Sequence, residues 1–155
     1  MSVNYRVVNA SPDDVFGVLA DGWSYAAWVV GTSRIRAVGS SWPRAGSAIH
    51  HSFGLWPLVI DDVTTVDLWD APRTAIMHAQ GGPLGRTRIR FDVQVNRHGT
   101  VIRLIEDVVS GPALPVPRVV RDAVGRVRNR ETLRRLAFLA EGAMTGEEAD
   151  GGSTD

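Results

Sequence analysis

The sequence predicts an α+β domain built from one antiparallel sheet and a long final helix. From residue 32 to residue 109, short runs rich in β-branched and aromatic residues alternate with Gly and Pro turns, which is typical of antiparallel strands. From residue 118 to residue 141, apolar residues recur at near-helical spacing between arginines and acids. With 155 residues, the chain has the length of one domain.

One strand and two short helices are expected before the sheet region. Residues 3–8 form the first predicted strand. Ser11 then supplies a hydroxyl N-cap, Pro12 takes the first helical position and two acids follow, so a helix is expected from here to about residue 21. A second short helix is predicted over residues 23–28 and, with the first, should cap one end of the sheet.

Six further strands are expected between turn residues. They span residues 35–38, 47–53, 58–69, 74–80, 86–96 and 100–109. The strand at 86–96 alternates apolar and polar residues most clearly, which indicates one dry and one wet face. The dry face must be covered, and the helix at 118–141 is the element long enough to cover it. A curved sheet under this helix would enclose a cavity.

Several local phrases accompany this order of elements. They are Trp28-Val29, Trp42-Pro43-x-x-Gly46, residues 49–54, Asp70-x-Pro72-Arg73, Gly99-Thr100, Glu106 and residues 128–136. The chain resembles the START-like, or helix-grip, superfamily, and the phrases resemble its actinobacterial polyketide cyclase/dehydrase branch (SRPBCC-type). The resemblance covers residues 1–142 and implies a ligand-binding domain there. Residues 143–155 are expected to be a disordered acidic tail.

Strand alternation predicts which polar side chains face the interior. His51 shares a face with Ile49 and Phe53, while Asp62 and Glu106 fall on the apolar faces of their own strands. A buried carboxylate is costly without a partner, so this set is a candidate for holding a ligand oxygen or moving a proton. The alternative is a hydrogen-bonded network that only orients the strands.

Large apolar side chains provide the candidate cavity wall. The predicted ligand-binding residues are Trp28, Ile49, Phe53, Trp56, Val66, Phe91, Leu104 and Val124. Aromatic walls suit a planar ligand, because stacked rings contribute roughly 0.5–1.5 kcal/mol beyond their burial. Ordinary core packing is the alternative for each of these side chains.

Composition excludes several classes of function. The chain has no Cys and, with seventeen arginines, no Lys, so thiolate zinc sites, Cys nucleophiles and Schiff-base chemistry are excluded. Adjacent His50 and His51 point to opposite faces of one strand and predict no metal site. The net charge of zero predicts no nucleic-acid partner.

No signal peptide or membrane-spanning run is found, so a cytoplasmic location is expected. An exposed strand at the edge of the sheet would allow two copies of the chain to form a homodimer.

Three functions therefore remain open. The first is a carrier or binding protein for an apolar or aromatic, lipid- or polyketide-like molecule, without a cofactor. The second is a cofactor-independent polyketide cyclase or dehydratase that uses His51 with Asp62 and Glu106 as acid-base or orienting groups. The third is an interaction protein whose cavity has no ligand. A cavity scaffold of this kind supports all three functions, so the geometry of the site is needed to distinguish them.

Overall fold

The computed structural model describes residues 1–81 and 85–150, with side chains described as far as residue 143. The elements, in chain order, are β1 (Ser2–Val8), α1 (Pro12–Ala20), a 3-10 turn (Gly22–Ser24), α2 (Tyr25–Trp28), β2 (Thr32–Val38), β3 (Ala48–Leu55), β4 (Leu58–Asp70), β5 (Thr74–Ala79), β6 (Arg86–Asn96), β7 (Gly99–Ser110) and α3 (Arg118–Asp150). The predicted α+β, helix-grip-like architecture is confirmed.

The sheet has seven strands in the order β1-β7-β6-β5-β4-β3-β2, and each neighbouring pair is antiparallel. The register of β3 and β4 pairs His51 with Asp62, which brings the two predicted polar residues side by side. Register shifts between β2 and β3 and between β4 and β5 mark bulges. Because bulges bend the strand that carries them, they contribute to the curvature of the sheet.

Helix α1 begins as its sequence predicts. The Ser11 hydroxyl accepts a hydrogen bond from the Asp14 amide at 3.1 Å, and the Asp14 carboxylate accepts one from the Ser11 amide at 3.0 Å. This reciprocal capping satisfies two amides that the first helical turn leaves free. The opposite face of the helix buries Val15, Phe16 and Leu19 in the core.

Helix α3 packs against β1, α1 and α2. Its buried face carries Asn129 and Thr132, followed by Leu133, Leu136, Ala137 and Ala140. Gly125 lies where α3 meets β1, and a Cβ atom there would come within 2.9 Å of the Ser2 hydroxyl oxygen. The lack of a side chain at this position therefore allows α3 to pack closely against β1.

The first half of α3 differs from its prediction. The valines at positions 120, 124 and 127 are exposed, whereas Arg121, Asp122, Gly125 and Arg128 are the partly buried residues. The apolar spacing thus predicted the helix correctly but assigned its inner face wrongly in this half. The helix also continues to Asp150, beyond the expected end near residue 141, and residues 151–155 lie outside the described part of the chain.

The core lies between the concave side of the sheet and the helices. It is formed by side chains of α1, α2, α3 and the central strands, with Trp28 and Phe91 among the largest fully buried members. Within the part of the chain described here, no helix is both long and apolar enough to cross a membrane.

Candidate functional site

An interior pocket of about 80 Å³ lies between α2, the sheet and α3. Its lining comprises Tyr25, Val29, Thr32, His51, Phe53, Ile60, Asp62, Ala79, Gly81, Thr87, Ile89 and Arg128. Apolar atoms make up most of the pocket surface, and the polar side chains come from β2, β3, β4, β6 and the two helices. A volume of this size holds several waters, but it lies well below the roughly 300–1,000 Å³ of sites for drug-sized ligands.

A second, smaller pocket of about 20 Å³ adjoins the first. The two share Tyr25, Val29, Ile89 and Arg128, and the second is also lined by Trp28, Met77, Phe91, Leu104, Glu106, Asn129 and Thr132. Trp28 meets Phe91 edge to face, with ring centroids 5.8 Å apart. The two pockets together form one mainly apolar recess beneath α3.

His51 belongs to a buried hydrogen-bonded chain at the wall of the larger pocket. Its Nε2 atom lies 2.9 Å from the Thr64 hydroxyl oxygen, which in turn lies 3.0 Å from the Tyr25 hydroxyl oxygen. The Tyr25 and His51 rings are 5.1 Å apart. Three elements, α2, β3 and β4, therefore fix the position of the imidazole.

Burial controls the protonation of this chain. It lowers the pKa of His51 below its ordinary value, although the Asp62 carboxylate opposes the shift and the Arg36 guanidinium adds to it. Burial also raises the pKa of Tyr25 to about 12. At neutral pH the site therefore presents a neutral imidazole and a protonated phenol, both of which can exchange hydrogen bonds with a ligand.

Asp62 lies beside His51, but both of its carboxylate oxygens accept hydrogen bonds from backbone amides. One carboxylate oxygen accepts the Val63 amide at 2.8 Å, and the other accepts the Gly81 amide at 3.0 Å. The second oxygen is 4.0 Å from His51 Nε2, which is too far for a hydrogen bond. Asp62 thus anchors the end of the β5 segment at the pocket, and its negative charge acts on His51 through space.

Glu106 lies in the smaller pocket, apart from His51 and Asp62. Its carboxylate forms an ion pair with the Arg128 guanidinium, which lines both pockets. The pair connects β7 to α3 across the recess. The structure therefore brings two of the three predicted polar residues together and places the third against a cation of the helix.

The predicted wall residues divide into three groups. Phe53 lines the larger pocket, while Trp28, Phe91 and Leu104 line the smaller one. Ile49 and Val66 are fully buried in the core and line neither pocket.

Trp56 and Val124 lie outside both pocket walls. Trp56 is 89% exposed because it occupies the tip of the β3–β4 hairpin. Val124 is 64% exposed on the outer side of α3, so the expectation that it faces the interior was wrong. Neither side chain can contact a ligand held within the recess in this conformation.

Sequence reasoning missed several residues of the site. Neither Tyr25 nor Arg128 is among the predicted site residues. Thr64 shares the inner face of β4 with Asp62, so the alternation of side chains along this strand was enough to identify Thr64 as a candidate site residue. No pattern in the sequence marks Tyr25 or Arg128, because their positions depend on how α2 and α3 are placed over the sheet.

Residues 1–81 and 85–143 contain no group of three or more His, Cys, Asp or Glu side chains close enough to hold a metal ion. The polar contacts at the recess are the Tyr25–Thr64–His51 chain, the backbone amides on Asp62 and the Glu106–Arg128 ion pair.

No protein-family model and no curated protein matches the chain. Solved structures do resemble it. Protein NE0264 from Nitrosomonas europaea superposes with a TM-score of 0.70 at 14% identity, covering 91% of this chain and 94% of the other. Ara h 8.0201 gives a TM-score of 0.69 at 12% identity, covering 90% and 96%.

A third similar structure is the di-domain ARO/CYC protein StfQ from the steffimycin biosynthetic pathway. It gives a TM-score of 0.70 at 13% identity, and the match covers 92% of this chain and 51% of StfQ. Identities this low establish the fold and leave the ligand open. The chain therefore has the helix-grip-like fold that it shares with NE0264, Ara h 8.0201 and StfQ.

Proposed function

We propose that the chain binds a small apolar molecule with a single ring in the recess between the sheet, α2 and α3. The observation that carries this proposal is the unfilled, mainly apolar pocket of about 80 Å³ with a neutral, buried histidine in its wall. A close-packed core contains few voids larger than a water molecule, so unfilled space beside polar groups favours a binding site.

The size of the recess sets the class of ligand. A polyketide with several rings is much larger than the cavity, whereas one aromatic ring requires only a modest widening. Three lining side chains, Arg128, Phe53 and Ile60, are partly exposed to solvent and leave room for such widening. A longer molecule would place one end in the recess and the remainder outside.

Two further observations support binding of an apolar compound. The sequence resembles polyketide cyclases, and the fold is shared with an ARO/CYC protein of a biosynthetic pathway. The pocket wall is also predominantly hydrophobic, with Val29, Phe53, Ile60 and Ile89 on different sides of the space. Burial of apolar ligand surface against such a wall provides about 25 cal/mol per Å².

The direct experiment combines native mass spectrometry with a variant that fills the pocket. Protein purified from the cells that naturally make it should carry a co-purified apolar compound. Ala79→Phe, which places a ring in the pocket, should lose the compound while the protein stays folded. Val95→Phe, at the exposed end of β6, is the matched control and should keep it. Equal occupancy in both variants would contradict the proposal.

Catalysis in the same recess is the second candidate function. The observation that favours it is the Tyr25–Thr64–His51 chain, because a positioned neutral imidazole can transfer protons. Cyclisation and dehydration of a ketone both begin when a base removes a proton from the carbon beside the carbonyl, and for His51 this requires the tautomer in which Nδ1 is unprotonated. When no further reaction follows, the resulting enolate takes a proton back from solvent.

This step can be followed with a simple ketone. In D₂O, a catalytic site would exchange the methyl hydrogens of acetophenone for deuterium faster than buffer does, and His51→Gln would abolish the acceleration. Exchange at the buffer rate, with binding intact, would leave binding as the function.

A further inference from the structure

Buried polar atoms without a hydrogen-bond partner concentrate at the recess. Among the residues that the structure describes, six buried side-chain atoms have no partner, and three of them belong to side chains that line the two pockets. These three are Trp28 Nε1, Thr32 Oγ1 and His51 Nδ1. A buried polar group without a partner is destabilising, so its presence at a cavity points to a ligand or water that satisfies it.

The proton of His51 can be assigned by counting hydrogen bonds along its chain. If the Tyr25 hydroxyl donates to Thr64 and the Thr64 hydroxyl donates to His51 Nε2, every proton of the chain is used. The neutral imidazole then carries its own proton on Nδ1, and that N–H is the single unsatisfied group. If Nε2 instead donates to Thr64, a hydroxyl proton of Thr64 or Tyr25 is also left without a partner.

The first arrangement leaves fewer buried groups unsatisfied and is therefore favoured. His51 then presents a donor at Nδ1. Trp28 Nε1 is also a donor, since an indole nitrogen has no lone pair to offer. Thr32 can donate or accept through its hydroxyl.

The carboxylates of the site already have partners. Both carboxylate oxygens of Asp62 receive backbone amides, and the Glu106 carboxylate is paired with Arg128. A ligand hydroxyl would therefore compete with these partners for the carboxylate oxygens, whereas a ligand carbonyl would find unpaired donors. Two of the three unpaired groups of the recess are donors, and the third can donate as well.

We infer that the ligand of this recess is a carbonyl compound, in which a ketone- or quinone-type oxygen accepts hydrogen bonds from His51 Nδ1–H and Trp28 Nε1–H. The inference rests on the proposed binding function and adds the polar group that the apolar ring carries. A ring is larger than the present cavity, so we expect binding to widen it and bring the carbonyl against these buried donors.

The test compares two compounds of nearly the same shape. Acetophenone carries a carbonyl oxygen where α-methylstyrene carries a CH₂ group. Dissociation constants for both are measured by NMR titration of the full chain. One hydrogen bond contributes roughly 0.5–1.5 kcal/mol, so the wild type should bind acetophenone about three- to tenfold more tightly.

Matched variants assign this preference to particular atoms. His51→Gln keeps an amide near Thr64 but removes the group at the Nδ1 position, whereas His51→Asn keeps an amide near that position. The preference should be lost in His51→Gln, reduced in Trp28→Phe and retained in His51→Asn. Trp23→Phe, at an exposed tryptophan outside the recess, should leave it unchanged.

The nitrogen that carries the proton of His51 is also identified directly in the wild type, so this result does not depend on the folding of any variant. Long-range ¹H–¹⁵N correlation at neutral pH should show a protonated Nδ1 and an unprotonated Nε2 for His51. The opposite tautomer would overturn the inference. Equal affinity for the two compounds would also overturn it, as would a preference for acetophenone that remains in both His51→Gln and Trp28→Phe. In these cases the proposed binding function remains valid. If neither compound binds, the proposed function fails as well.

Discussion

His51 and Tyr25 do not touch through their polar atoms but share one hydroxyl, that of Thr64, at 2.9 and 3.0 Å. The two residues lie on different elements, β3 and α2, and Thr64 lies on β4 between them. This single hydroxyl therefore joins the helix that covers the recess to the sheet that forms its floor. It also determines which nitrogen of His51 is available to a ligand.

The first prediction concerns this shared hydroxyl. Thr64→Val keeps the shape of the side chain but leaves the Tyr25 hydroxyl and His51 Nε2 buried without their partner. Because each such group costs about 1–3 kcal/mol, we expect a loss of roughly 2–4 kcal/mol in the free energy of unfolding, measured with urea. Thr65→Val, on the other face of β4, is the control; it removes only the long, 3.5 Å hydrogen bond from its hydroxyl to the His78 carbonyl and should cost less than about 1 kcal/mol. Similar values for both variants would contradict a structural role for the chain.

The second prediction concerns the pH dependence of stability. The pKa of His51 is lowered in the folded state, so the unfolded chain binds this proton more readily than the folded chain does. The contribution of His51 is therefore present above its unfolded pKa of about 6.5 and is lost as the pH falls toward the folded value. The free energy of unfolding should decrease between about pH 8 and about pH 5.

His51→Gln should show a smaller decrease over the same range, and His98→Gln, at the exposed β6–β7 turn, serves as the control. A decrease in His51→Gln as large as that of the wild type would show that other groups are responsible.

The third prediction concerns Asp62, which the sequence suggested as an acid or base. Its two oxygens hold the Val63 and Gly81 amides, so Asp62→Asn should weaken both contacts because one acceptor becomes an NH₂ group. Hydrogen bonds to charged groups contribute about 1.5–3 kcal/mol, and we expect a loss of this size in the free energy of unfolding. Amide hydrogen exchange at Gly81 should accelerate more than exchange in the β6–β7 hairpin. Unchanged protection at Gly81 would contradict the anchoring role.

The fourth prediction concerns the backbone beneath Phe53. Gly31 has a φ of 99°, and a Cβ atom there would lie 2.2 Å from the Phe53 ring. Gly31→Ala should therefore cost about 1–3 kcal/mol through strain and displace this ring from the pocket wall. Gly17→Ala, in α1 with open space around the new methyl group, should instead stabilise the protein by about 0.5–1 kcal/mol. Thermal denaturation of the two variants should show shifts of opposite sign.

The sequence allowed prediction of the order of elements, because antiparallel strands and helix caps leave local signals. Strand alternation also placed His51 and Asp62 on the inner face, and the register of β3 with β4 brings them side by side. Alternation was less useful at strand ends. Ile89, Phe91 and Val93 point inward as expected, whereas Val95, on the same face, extends beyond the cover of the helices and is exposed.

The candidate site was predicted only in part, for a physical reason. Whether a helical residue faces inward depends on where the helix rests on the sheet, and this is set by contacts between distant parts of the chain. Gly125 against Ser2 fixes one such contact and turns Val124 outward and Arg128 inward. Glu106 then pairs with Arg128 instead of joining His51. No local pattern in α3 carried this information.

The central claim is that the recess under α2 and α3 admits a small apolar ligand, and an NMR titration of the ¹⁵N-labelled chain with acetophenone tests it most directly. We predict saturable shifts confined to amides around the recess, such as Val29, Thr32 and Ile89, and their loss in Ala79→Phe. Shifts that do not saturate, or that centre on the exposed hairpin tip at Trp56, would contradict it.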